Sequence, residues 1–318
     1  MRDSVFSTYH PVIEFGFFCA VIGIGMFMIH PVFLAFGASA AFIYALITGG
    51  KGSLRFTLYF LVPMIFLVLI INPLVNHRGS TILIQLEYSY ITAEAVVYGL
   101  MMGLMLAAIL LWFRSYNRIM TSDKFTYLFG RIMPSISLLF TMVMRFIPNY
   151  KKQISRIAQA QQGLHAGGVQ TEEGEDVVQS KPETKRPWRE RVHEGIRIIS
   201  TMFTWALENS IDSADSMRSR GYGLKNRTTF SIYRFDRRDG AAGVFLLVMT
   251  LITLISCLGG ACHVEYYPEF IMGGGDGLLA GSTAWRWAGY GAFALICYFP
   301  VFIEAKEALV WRHLESKI

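Results

Sequence analysis

The chain has 318 residues, 53% of them hydrophobic and 16% charged, with a net charge of +6. Several apolar runs approach the roughly 20 residues a helix needs to cross a bilayer, which excludes an ordinary soluble domain and predicts an integral membrane protein. The basic excess follows loop position and not a nucleic-acid face, and the four cysteines lie in or beside apolar runs with no CxxC or neighbouring His, so they read as core thiols.

Candidate spans cover residues 12–29, 31–48, 56–76, 91–112, 241–261 and 285–303. The first carries Glu14 near its start and has no small-residue cleavage site after it, so it reads as a retained span and not a signal peptide. A further apolar run, 125–147, contains Arg131 and Arg145. If it does not cross, both termini share one side, and of the 29 Lys and Arg residues only Arg78 and Arg286 fall outside. If it did cross, the basic segment from Lys151 to Arg238 would change sides against the positive-inside bias. The expected fold is therefore all-α and polytopic, with about six transmembrane helices and an inserted cytoplasmic domain of long amphipathic helices. The boundaries are 1–112 for the first membrane part, 113–240 for the insert, and 241–318 for the last spans and tail.

Within the insert, Lys124, Arg131, Leu138 and Arg145 fall seven apart and place the charges on one stripe of the 125–147 helix. Pro134 is expected to kink that helix or start its second half, and Pro148 to open the next, 148–164, which stops at Gly163 or shortly after. Residues 166–188 are rich in Gly, Glu, Lys and Pro and read as a flexible connector. The last helix, 190–221, repeats Ile196, Ile199, Phe203, Leu207 and Ile211 at steps of three and four, with Asp212 and Asp215 on its polar side. It ends in Arg218, Ser219, Arg220, Gly221, where cations suit the carbonyl end and Gly suits a left-handed cap. Arg145 is expected either to snorkel or to pair with Asp212 or Asp215, a structural role in both cases.

Catalytic signatures are missing. Gly49, Gly50, Lys51, Gly52 and Ser53 have the letters of a phosphate loop in the wrong spacing, and no GxSxG or HExxH occurs. Glu14, Glu87, Glu94 and Glu304 lie near span ends, where the interface relieves their charge. Gly99 and Gly103 form a GxxxG, read as helix packing within the protein. A membrane enzyme using His193, Asp212 and Asp215 has only a solvated helix face behind it. A self-sufficient carrier or channel lacks mid-span charges and an internal repeat.

The His10-Pro11 opening, the block Asn72-Pro73-Leu74-Val75-Asn76-His77-Arg78-Gly79, the stretch from Met120 to Pro148 and ADSMRSRGYG from Ala214 to Gly223 together resemble the transmembrane T component of energy-coupling factor (ECF) transporters. The resemblance implies a non-catalytic subunit with coupling helices at 125–147, 148–164 and 190–221. Their two Ala-Arg-Gly motifs would dock into two ABC-type ATPase subunits, identical or different. The second motif maps onto Ser219-Arg220-Gly221, with Ser for Ala. The first maps onto Gln161-Gln162-Gly163, where Gln replaces the Arg, so an asymmetric ATPase pair or a contact through Arg156 or His165 is expected. The resemblance further implies a membrane-embedded substrate-binding S component docked on Ile199, Phe203 and Leu207. ATP and Mg would be held by the ATPases, with no cofactor or metal in this chain. Uptake of a vitamin or transition-metal ion across a bacterial or archaeal cell membrane, with both termini cytoplasmic, is the implied activity.

Overall fold

The computed structural model describes residues 4–86, 89–130, 134–167, 188–221, 233–268, 271–272 and 283–315. The chain forms two compact units, one from Met1–Leu128 and Ile232–Ile318 and the other from Phe129–Ser231.

The first unit is a bundle of apolar helices. α1 (Pro11–Phe27) and α2 (Pro31–Gly49) both open on a His-Pro pair. Pro suits the first helical position because its missing N–H would have no partner there, and each His caps the turn by accepting from a backbone N–H, Val12 for His10 and Val32 for His30. Gly50, with φ 52°, turns the chain into α3 (Lys51–Phe56). A π turn at Thr57–Leu61 joins α3 to α4 (Val62–Val75). The ring of Pro63 pushes on the carbonyl of Tyr59 within that turn, so the wider turn takes up the mismatch. α5 (Ala93–Ile119), α6 (Ser122–Gly130), α9 (Arg237–Ser256) and α10 (Thr283–Glu315) complete the unit.

Among the described residues, four helices are long and apolar enough to cross a membrane: Pro31–Gly49, Lys51–Val75, Ala93–Ile119 and Arg237–Gly260. α1 is a shorter apolar helix of 17 residues. The molecule has the architecture of an all-α membrane protein, with two small antiparallel ribbons as additions: β1 (Ile82–Leu86) with β2 (Ser89–Thr92), and β3 (Val264–Glu265) with β4 (Ile271–Met272). Neither ribbon was expected. The first replaces the start of the 91–112 span, and Thr92 caps α5 instead, accepting from Ala95 N–H at 3.4 Å.

Rings and small residues pack the bundle. Phe17 and Trp112 meet edge-on at 5.6 Å, and Tyr44 stacks on Trp112 at 6.1 Å. Gly99 and Gly103 lie on α4: a Cβ would stand 3.0 Å from Asn72 Cβ at the first and 3.3 Å from Ile65 Cα at the second. The GxxxG therefore serves packing inside the protein, where close backbone approach replaces the hydrophobic drive that lipid cannot supply. Apolar side chains at Phe66, Ile70 and Leu74 of α4 and at Val244, Leu247 and Leu251 of α9 are exposed, as lipid-facing groups are.

The cysteines depart from expectation. Cys297 is a buried free thiol and Cys19 an exposed one, whereas Cys257 and Cys262 form a disulfide across the end of α9. A spacing of five residues gave no sign of it, because the π turn that brings them together is not written in the hydrophobic pattern.

The second unit contains two long helices, α7 (Pro134–Gly167) and α8 (Trp188–Ser219). The expected 125–147 helix falls on α6, described as far as Gly130, and on α7, described from Pro134, with residues 131–133 outside the described residues. Pro148 does not open a new helix. It lies inside α7, whose rings at Phe146 and Tyr150 stack across it at 5.9 Å. One proline removes one hydrogen bond, which a helix held on both sides can absorb. Most of the expected connector, residues 168–187, lies outside the described residues.

Candidate coupling surface and a buried charge cluster

α8 is amphipathic, but its apolar stripe is not buried. Ile196, Ile199, Phe203, Leu207 and Ile211 are exposed, from 52% at Leu207 to 70% at Ile199. The contact with α7 is made from the far side of the helix, where Trp205 touches Tyr150 edge-on at 5.6 Å. Ile136, Leu139, Val143, Ile147 and Ile154 of α7 are exposed too. An apolar strip of this length is unusual on a monomeric surface and marks a docking face or a lipid contact.

The end of α8 is a well-formed cap. The Arg220 N–H donates to the Ser216 and Met217 carbonyls, and the Gly221 N–H donates to Arg218 at 3.1 Å. Gly221 has φ 78°, a conformation that costs a side-chain-bearing residue free energy. Ser219 Oγ donates to the Ser216 carbonyl at 2.8 Å, and Arg220 is exposed at the tip.

The other motif is built differently. α7 runs on to Gly167, so Gln161, Gln162 and Gly163 lie within the helix and not at its end. Gly163 is exposed and a Cβ there would meet nothing, so no packing demands glycine. Gln161 has a buried side-chain oxygen with no hydrogen-bond partner among the described residues. The Gln162 side chain is outside the described residues, as are those of Arg131, Leu138 and His165 and all of Tyr222 and Gly223.

No ion pair joins Arg145 to Asp212 or Asp215 among the described residues. Arg145 is exposed, and Asp215 lies 3.9 Å from Arg218 instead. That pair is exposed and contributes little. Asp212 and His193 are exposed as well, and no cluster of His, Cys, Asp and Glu fit for a metal occurs among the described residues.

The unforeseen feature lies in the first unit. Glu14, expected at a relieved interface, is 0% exposed, and Lys124, expected on a charged outer stripe, is 7% exposed. They pair: Lys124 Nζ donates to Glu14 Oε1 at 2.7 Å and Oε2 at 2.9 Å, and to the Ser7 carbonyl at 2.6 Å. Three acceptors use the whole donor capacity of an ammonium group. Asp239, 3% exposed, takes the Asp236 N–H on Oδ2 at 3.2 Å, while its Oδ1 has no hydrogen-bond partner among the described residues.

His10 borders the same cluster. Its Nδ1 accepts from Val12, which leaves the proton of the neutral ring on Nε2 to donate to Tyr127 Oη at 3.2 Å. Burial pushes this imidazole below its ordinary range, with the nearby Asp239 charge acting against that shift. Glu14 and Lys124 are 110 residues apart, so no local pattern could reveal the pair.

No protein-family model matches the chain, and neither does any curated protein.

Proposed function

We propose that the chain is the energy-coupling transmembrane scaffold of an ECF-type importer, a non-catalytic subunit that passes ATPase motion to a substrate-binding S component for uptake of a vitamin or transition-metal ion. On this reading α1, α2, the α3–α4 rod, α5, α9 and α10 are six spans with both termini cytoplasmic, and the 129–231 unit works in the cytoplasm. The observation that carries it is α8: an exposed apolar stripe along its length and, at its end, an exposed Arg220 followed by a left-handed Gly221. A planar guanidinium on a capped tip can fork onto a carboxylate in a partner's groove, and the glycine leaves room for close approach. Ile199, Phe203 and Leu207 would meet the S component, while ATP and Mg would be bound by the two ATPases. Gln161, Gln162 and Gly163 would form a weaker first contact, since Gln hydrogen-bonds without an ion pair.

Co-purification from native membranes tests this. The wild-type chain should bring down ABC-type ATPases and Arg220→Glu should lose them. Retention by Arg220→Glu would move the contact to the Gln162 region. A wild-type chain that binds no ATPase and moves solute when reconstituted alone would replace the scaffold with a self-sufficient carrier.

A further inference from the structure

The turn Gly49-Gly50-Lys51-Gly52-Ser53, with its phosphate-loop letters in the wrong spacing, closes α2 and opens the α3–α4 rod. Four cations gather around it. Lys51 and Arg55 stand one helical turn apart at the start of the rod, and Arg114 and Arg118 one turn apart near the end of α5. Both guanidiniums reach the glycines: a Cβ on Gly52 would stand 3.9 Å from Arg114 Nη2, and one on Gly49 3.6 Å from Arg118 Nη1. Arg114 also lies 4.5 Å over the Phe56 ring. That stacking uses the face of the guanidinium and leaves its N–H edge for another partner.

No carboxylate answers this charge. Residues 40–60 and 100–122 contain neither Asp nor Glu, and the ion pairs found among the described residues, Lys124–Glu14 and Arg218–Asp215, involve none of the four cations. Like charges one helical turn apart repel, and a bound anion would turn that repulsion into attraction.

We propose that this cluster holds the phosphate of an anionic phospholipid from the leaflet that it faces. Its position selects a lipid over a free anion. Leu54 and Leu58 continue the side of the rod that carries Lys51 and Arg55, and both are exposed, as is Phe113 beside Arg114. The rod is long and apolar enough to cross a membrane, so these side chains offer acyl chains a surface next to the charges. A guanidinium forks onto two phosphate oxygens, and each further cation adds attraction at a negative membrane surface. This site requires only the membrane architecture and is independent of any coupling to ATPases.

The test gives the full-length chain, purified in detergent, equimolar phosphatidylglycerol and phosphatidylcholine, and reads the bound lipid by native mass spectrometry. Wild type should favour phosphatidylglycerol. Lys51→Gln combined with Arg55→Gln should weaken its apparent affinity roughly thirtyfold, the effect of two cations near a membrane surface; both residues are exposed, so the fold survives the change. Lys151→Gln combined with Lys152→Gln removes the same charge from exposed positions on α7 and should leave the preference unaltered. Equal retention of the two lipids by wild type, or equal losses in the two double variants, overturns the proposal. Inorganic phosphate added in excess should fail to displace phosphatidylglycerol; displacement would show a free-anion site and overturn the assignment to lipid.

Discussion

Removal of one partner of the Glu14–Lys124 pair should cost far more than removal of both. At 2.7 Å and 2.9 Å the direct attraction is about 6 kcal/mol at an effective dielectric of about 20. Much of it offsets the desolvation of two buried ions. Lys124→Met leaves Glu14 and Asp239 buried with no facing ammonium, a loss of about 3–5 kcal/mol for a broken buried pair. Glu14→Gln strands the ammonium, which keeps the Ser7 carbonyl and feels Asp239, so its loss should lie at the low end of that range. Glu14→Leu combined with Lys124→Met, the double variant, should fall within about 1 kcal/mol of wild type, since apolar replacement of a buried pair is often neutral. The assay is thermal unfolding of the detergent-solubilised chain. Each kcal/mol corresponds to about 2–4 °C in domains of comparable size, so Lys124→Met should unfold roughly 10 °C early and the double variant near wild type. Additive losses, with the double variant as the least stable, would refute a coupled buried pair.

Other sites give independent checks. Gly289→Val should destabilise the α9–α10 crossing by about 1–3 kcal/mol, because a Cβ there would stand 2.6 Å from Ser256 Cβ; Ser256→Gly in the same chain should recover part of the lost thermal stability. Gly221→Val, at φ 78°, should fray the end of α8 by about 1–2 kcal/mol, seen as faster amide exchange at Arg220 with the middle of the helix unchanged. Since burial lowers the His10 pKa, the folded chain binds fewer protons there than the unfolded one. Stability should fall as the pH drops through the ordinary histidine value of 6.5 and level off below the folded value, and His10→Asn should flatten that component of the thermal-stability profile.

The apolar runs and helix stops were legible because they are local: hydrophobic length marks a helix able to cross a bilayer, and Arg220-Gly221 marks a helix end. Pro148 misled because proline's effect depends on what holds the helix on either side, and α7 passes through it. The first ribbon was hidden by apolar residues that also suit the start of a span, such as Ile82, Ile84 and Ile91. Along α8 the pattern showed a stripe without showing which side would pack, and the face that meets α7 through Trp205 is not the most apolar one. The buried cluster was illegible for the opposite reason. Glu14 and Lys124 each look like an interfacial charge in their own segment, and only the tertiary fold makes them partners.

The claim that most needs testing is that α8 faces the compartment in which ATPases work. Ser219→Cys, in a chain with Cys19 and Cys297 changed to Ser, can be exposed to a membrane-impermeant thiol reagent in intact cells and in inverted vesicles. Labelling only in inverted vesicles is the predicted result and places the Arg220 tip on the cytoplasmic side. Labelling in intact cells would put that tip beyond the reach of any ATPase and contradict the account.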